Sequence, residues 1–305
     1  MAIYRHRKLI DAILADPEAC QYLSLNPHPA AVKHLIGNPQ QHPANIDWRH
    51  FSSNSNQQAV EYMLQHPKLI NWVTFSCNAN PQAVKYLLHR PSIINWDDFS
   101  SNETPQAVEY TLQRPEKIVW TEFSRNAHPR AVAYMLQHPN KITWANFSWN
   151  ANPQAVKYLL QHPENIDWGY LAFNSNPQAV EYLIQHPDKI NWKYFSLNAN
   201  PQAVDYLLEH PEKINWYHLA SNKNPTAFEY LIVNLDSPNL LQHPDHIILH
   251  IITRNPQLFK LDIGAMSLKR TRRLEAELGA AHTPKRTSIN ITHHLDNNGN
   301  LLDYE

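Results

Sequence analysis

Ile190–Lys213, INWKYFSLNANPQAVDYLLEHPEK, decides the fold, because the chain on either side of it is the same stretch again. Trp recurs at 48, 72, 96, 120, 144, 168, 192 and 216, always 24 residues apart. Tyr keeps the same step from 62 to 230, and Asn from 54 to 222. A fixed period of this length is the signature of a solenoid, in which each unit buries its apolar face on its neighbours.

Within one unit the residues predict two short helices. The longer opens at Asn-Pro, as at Asn152-Pro153, Asn176-Pro177, Asn200-Pro201 and Asn224-Pro225, with Thr104-Pro105 and His128-Pro129 as variants. A side-chain acceptor at this position takes up a free amide of the first turn, and proline next to it forfeits nothing. Ala155, Val156, Leu159 and Leu160 then recur at helical spacing. The next proline (Pro139, Pro163, Pro187, Pro211) stops the helix after about nine residues, because the residue before proline is pushed out of helical space.

The shorter element is I-x-W-x-x-F/L-S/A-x-N, for example Ile142, Trp144, Phe147, Ser148 and Asn150. It is brief enough to be α or 3-10. The terminal Asn is expected in a left-handed position, with its amide satisfying backbone groups within and between repeats. Asn150→Ala is then expected to lower stability and leave binding unchanged. The eight indoles are expected to form a continuous interior spine. The expected fold is all-α: a solenoid of about eight 24-residue two-helix repeats with atypical ends.

The N-x-T-P-x-A-V-x-x-x-L-x-x-P order of Asn102–Pro115, at a 24-residue period, resembles the leucine-rich repeat variant family, a solenoid of alternating α- and 3-10 helices. With the I-x-W segments between, it is also similar to the Asn-Pro-x-Ala helical repeats of large DNA viruses. The resemblance covers about residues 20 to 240 and implies an α-solenoid. Neither family carries a defined chemistry to transfer.

Outside the array the reading is coarser. Residues 1–47 form a worn first repeat and cap: Leu23, Ser24 and Asn26 match the short element, with Cys20 at the Trp position, and His34 stands for Tyr. An insertion lies near Gln40–Pro43. The repeats occupy 48–238, after Leu235 has replaced Pro and before Leu240 falls where Trp is due. A C-terminal cap is expected over 239–281, including the apolar run 246–253 and a basic helix over 265–281, followed by a flexible tail, 282–305.

Composition narrows the function classes. The net charge of −1 gives no pull toward nucleic acid or an anionic membrane. Two cysteines, Cys20 and Cys77, make no disulfide framework, which points to an intracellular, cytoplasmic protein. The N-terminus does not read as a signal peptide and no stretch is long enough to span a bilayer, so the sequons at Asn102, Asn146 and Asn290 carry no weight.

Histidines at 66, 138, 162, 186 and 210 precede proline, in a column that also holds Arg90 and Arg114. Arginine does not ligate zinc, but it shares with histidine a donor suited to a helix C-terminus, so helix capping is expected and no metal. No nucleophile elbow, phosphate loop, H-E-x-x-H or C-x-x-C is present. The chain is expected to be neither an enzyme nor cofactor-dependent.

Information lies in the positions that vary between repeats: the two residues after Trp and the one before the ladder Asn. Early repeats carry Arg49, His50, Thr74, Asp97, Asp98, Glu122 and Arg125 there, and later ones Trp149, Tyr170, Phe173, Tyr194, Leu197 and Tyr217. A contiguous strip of exposed aromatics marks a partner surface. The reading is a non-catalytic scaffold that binds a protein or peptide through Trp149, Tyr170, Phe173, Tyr194, Leu197, Tyr217 and Arg125. A nucleic-acid reader is the alternative, supported only by the basic cluster at 269–273. A self-assembling, virion-type component joined through its end faces is the third. Oligomeric state is not legible.

Overall fold

A computed structural model describes residues 21–37, 46–234, 253 and 255–259, all within the unit Met1–Leu261. Cys20, the insertion near Gln40–Pro43, the run 246–252, the basic helix over 265–281 and the tail lie outside these residues. The described residues are all-helical, without a strand, and form an α-solenoid.

The first seven repeats each hold three helices rather than two. In the seventh these are Trp192–Phe195, Pro201–Leu208 and a single 3-10 turn, Pro211–Lys213. The third element follows from proline itself: His210 before it is held at φ −123°, ψ 61°, which ends the long helix, and Pro211 presets the next turn. The Trp element is α-helical throughout, four to six residues long. Its cap is the residue before Trp, as where Asn191 Oδ1 accepts from Tyr194 N at 3.3 Å. Asn200 Oδ1 caps the long helix by accepting from Gln202 N at 2.9 Å. Thr104, expected to cap the long helix in this way, makes no such bond; its Oγ1 donates instead to Asn102 Oδ1 at 2.8 Å, and Thr143, before Trp144, makes no cap bond either.

The interior spine is made of phenylalanine, not tryptophan. Phe51, Phe75, Phe99, Phe123, Phe147 and Phe195 are completely buried, with Leu171 and Leu219 in the same column. The Ala, Val and Leu stripe of the long helices closes over them. The indoles are half-buried except Trp216, because each stands at the start of its helix, where one face has no turn above it to cover it. Each stacks on the tyrosine of its own repeat, Trp144 and Tyr158 at 6.2 Å and 5°, and where the repeat carries phenylalanine meets it edge-on. The pre-proline side chain closes this stack. His162 Nδ1 donates to the Tyr158 carbonyl at 2.8 Å and its ring covers the tyrosine at 4.4 Å. Arg114 does the same, bonding the Tyr110 carbonyl with its guanidinium 3.6 Å above the ring. The capping role expected of this column is what the geometry shows.

Asparagine joins one repeat to the next. Asn150 Nδ2 donates to the carbonyls of Ser124 and Asn126 in the preceding repeat, at 3.1 and 2.9 Å, and its Oδ1 accepts from Asn152 N at 3.0 Å. The backbone there is extended, φ −63° and ψ 112°, rather than left-handed. An extended residue leaves its amide side chain free to reach across the boundary, and a helix-terminating αL turn is not needed where the chain turns on Oδ1 instead.

The ladder has no end. Asn54 donates to Ser24 and Asn26, as the repeat pattern requires. Asn26 in turn donates to Thr253 at 2.9 Å and Asn255 at 3.0 Å, and Asn255 donates to Ala220 and Asn222. Asn26, Asn54, Asn78, Asn102, Asn126, Asn150, Asn174, Asn198, Asn222 and Asn255 therefore form one closed circuit. Asn255 supplies a tenth rung, with Leu258 wholly buried. Atypical as they are, the ends do not turn a ladder face to water: the worn first repeat and the Asn255 rung cover each other.

Candidate functional site

Two columns flank the ladder. The residues before each Asn run Ser53, Cys77, Ser101, Arg125, Trp149, Phe173, Leu197 and Ser221; those after it run Ser55, Ala79, Glu103, Ala127, Ala151, Ser175, Ala199 and Lys223. The same Nδ2 bond to the ladder carbonyl of the preceding repeat recurs along the array, so both columns stay in register across the repeats. Between them, over the fifth to eighth repeats, lies a groove of about 430 Å³ walled by Trp149, Phe173 and Leu197 and floored by Ala151, Ser175 and Ala199, with Ser221 and Lys223 at its far end.

The structure brings the predicted residues together in two groups. Trp149 lies parallel to Tyr170 at 6.1 Å and meets Phe173 edge-on at 4.9 Å, both in the next repeat. The Arg125 guanidinium sits 5.4 Å above Trp149, held by Glu122 at 3.0 Å and donating to Ser101 Oγ at 3.3 Å. Tyr194 and Tyr217 form the second group, each in edge contact with His218. Trp149, Phe173 and Leu197 are half-buried, whereas Tyr170, Tyr194 and Tyr217 keep 41%, 40% and 43% of their surface in solvent. The apolar strip is thus open within the chain.

The floor escaped the sequence reading. Its signal was present, in that the residue after the ladder Asn is Ser or Ala in six of the eight repeats (Glu103 and Lys223 are the exceptions), but small side chains carry no chemistry of their own. Only their stacking beneath three large neighbours makes a groove.

Toward the early repeats the same face is polar. Burial pushes the Cys77 thiol above its usual 9.0, and the Asp98 charge adds to this. The thiol donates to the Thr74 carbonyl at 3.2 Å, so it stays protonated and a poor nucleophile. Burial, then the neighbouring Glu122, raises the Asp98 carboxyl above 3.8. His218 is lowered from 6.5, by burial and then by Lys193. Among the described residues no three His, Cys, Asp or Glu side chains converge on a metal-sized site, and no helix is long and apolar enough to cross a membrane. No family model, curated protein or solved structure matches the chain.

Proposed function

We propose that the protein is a non-catalytic interaction scaffold that binds a peptide segment in the groove beside Trp149. The observation that carries this reading is an internal control. The fold accepts Ser53, Cys77, Ser101 and Ser221 at the wall position, so nothing in the architecture demands Trp149, Phe173 and Leu197 in three successive repeats. Half-buried aromatic and aliphatic side chains beside a concave floor are the usual anchors of a binding hot spot. A free thiol at Cys77 suits a reducing, cytoplasmic setting.

Two observations weigh against the alternatives. Asp97, Asp98 and Glu122 share the variable face with Arg49 and Lys193, a mixed charge that repels a phosphate backbone as much as it attracts one. The closed ladder engages both of its ends, which removes the open end faces that head-to-tail assembly needs.

Selection from a displayed library of random peptides tests the proposal. The wild-type chain should retain peptides rich in apolar residues, and Trp149→Ser/Phe173→Ser/Leu197→Ser should lose them. Retention of the same peptides by both chains, or of none by either, would sink it.

A further inference from the structure

We infer that the groove takes an extended, proline-rich segment in the polyproline conformation, with a carboxylate lying over Lys223. This rests on the peptide-binding reading above and narrows it to one chemistry.

The floor is a row of hydrogen-bond donors. At Ala127, the residue after the ladder Asn, the backbone N–H donates at 3.2 Å to the carboxylate of Glu103, which occupies the same column one repeat earlier. Glu103 thereby marks where an acceptor must sit to meet this column. At Ala151, Ser175 and Ala199 the N–H meets no acceptor among the described residues, since the preceding side chains are too short to do what Glu103 does. These three residues line the groove. An acceptor from outside the chain completes the row.

Charge points the same way. The groove lining contains no acidic residue, and Lys223 at its end has no carboxylate partner among the described residues. Donors along the floor and an ammonium at the end complement a strand of carbonyls that finishes in a carboxylate.

Spacing selects the conformation. Neighbouring helices stand about 8–10 Å apart, so successive repeats offer their donors and walls at that interval. A polyproline helix presents the same face every three residues, roughly 9 Å, and its carbonyls have no internal partners. A β-strand returns every two residues, roughly 7 Å, and falls out of step within two repeats. The wall supplies Trp149 and Phe173, in edge contact at 4.9 Å, aromatic surfaces of the kind on which proline rings pack.

Fluorescence anisotropy with the full chain and two labelled probes, (Leu-Pro-Pro)4-Asp and (Leu-Gly-Gly)4-Asp, tests this. The proline probe should bind at least tenfold tighter. Ala151→Pro/Ser175→Pro/Ala199→Pro deletes the three donors at positions where the chain tolerates proline, as Pro27 and Pro256 follow ladder residues Asn26 and Asn255. This variant should keep its melting temperature and lose about tenfold in affinity for the proline probe. With all probes amidated at their C-termini, so that the Asp side chain is the lone carboxylate, Lys223→Ala should weaken binding of that probe but not of one ending in Asn. Equal binding of the two wild-type probes, or full affinity in the donor-deleted variant, overturns the inference. The broader reading survives that result if the library selection still separates wild type from the serine variant, and falls with it if the selection retains nothing.

Discussion

Asn26 Nδ2 donates to the carbonyl of Asn255 at 3.0 Å, joining residues 229 positions apart through the same bond that links every neighbouring pair of repeats. In an open solenoid the terminal ladder amides face water. Here each is buried against its counterpart, and Asn26 and Asn255 are as inaccessible as any member of the array.

Asn26→Ala should therefore destabilise as much as an internal substitution. It removes the bonds to the carbonyls of Thr253 and Asn255 and from the amide of His28, at a cost of about 2–4 kcal/mol. Asn150→Ala strands the equivalent groups and serves as the reference. Chemical denaturation of both variants checks this; an Asn26→Ala cost below a quarter of the Asn150→Ala cost would mean the seam is not closed in solution. Hydrogen exchange should also show Leu23–Ile36 opening first in the Asn26 variant.

Thr111 is the one discordant residue in the long-helix stripe. Its column otherwise holds Met63, Leu87, Met135, Leu159, Leu183, Leu207 and Leu231, and its buried Oγ1 has no hydrogen-bond partner. Thr111→Leu should raise stability by about 1–2 kcal/mol, by burying more apolar surface and removing an unsatisfied hydroxyl. A lowered melting temperature would show that the fourth repeat has closed around the smaller side chain.

Wall and spine should respond differently to truncation. Phe147 is fully buried, and Phe147→Ala should cost about 3–5 kcal/mol. Trp149→Ser/Phe173→Ser/Leu197→Ser restores what other repeats carry, and should cost under about 2 kcal/mol in total. Comparable losses from the two variants would make the groove part of the core.

Asp98 is held as a carboxylate at neutral pH against burial and the charge of Glu122. Its folded pKa lies above the ordinary 3.8, so the native state binds the proton first, and acidification through that pKa relieves the penalty. Asp98→Asn should stabilise the protein slightly at pH 7, solvent screening keeping the gain small for a group this exposed, with the advantage fading as the pH falls through that pKa. An advantage that instead grows on acidification would contradict this assignment.

Much of this architecture was legible in the residues. The 24-residue columns announce a solenoid, Asn-Pro pairs locate the long helices, and arginine at two pre-proline positions argues for capping. These are local or periodic signals, carried by sequence spacing alone. The variable positions likewise named Trp149, Phe173 and Leu197 as unnecessary to the repeat. That they share a wall needed the stacking of successive helices.

What the sequence determined by itself was the repeating unit, because caps, prolines and apolar spacing act within a few residues of one another. What only the tertiary structure decided was which aromatic column lies inside, how small residues and large ones combine into a groove, and that the ladder returns to its start. Each depends on the angle accumulated between repeats and on side chains meeting across distances no local pattern records. Asn26 and Asn255 look like worn ends when read along the chain, and become adjacent rungs once the intervening repeats have turned.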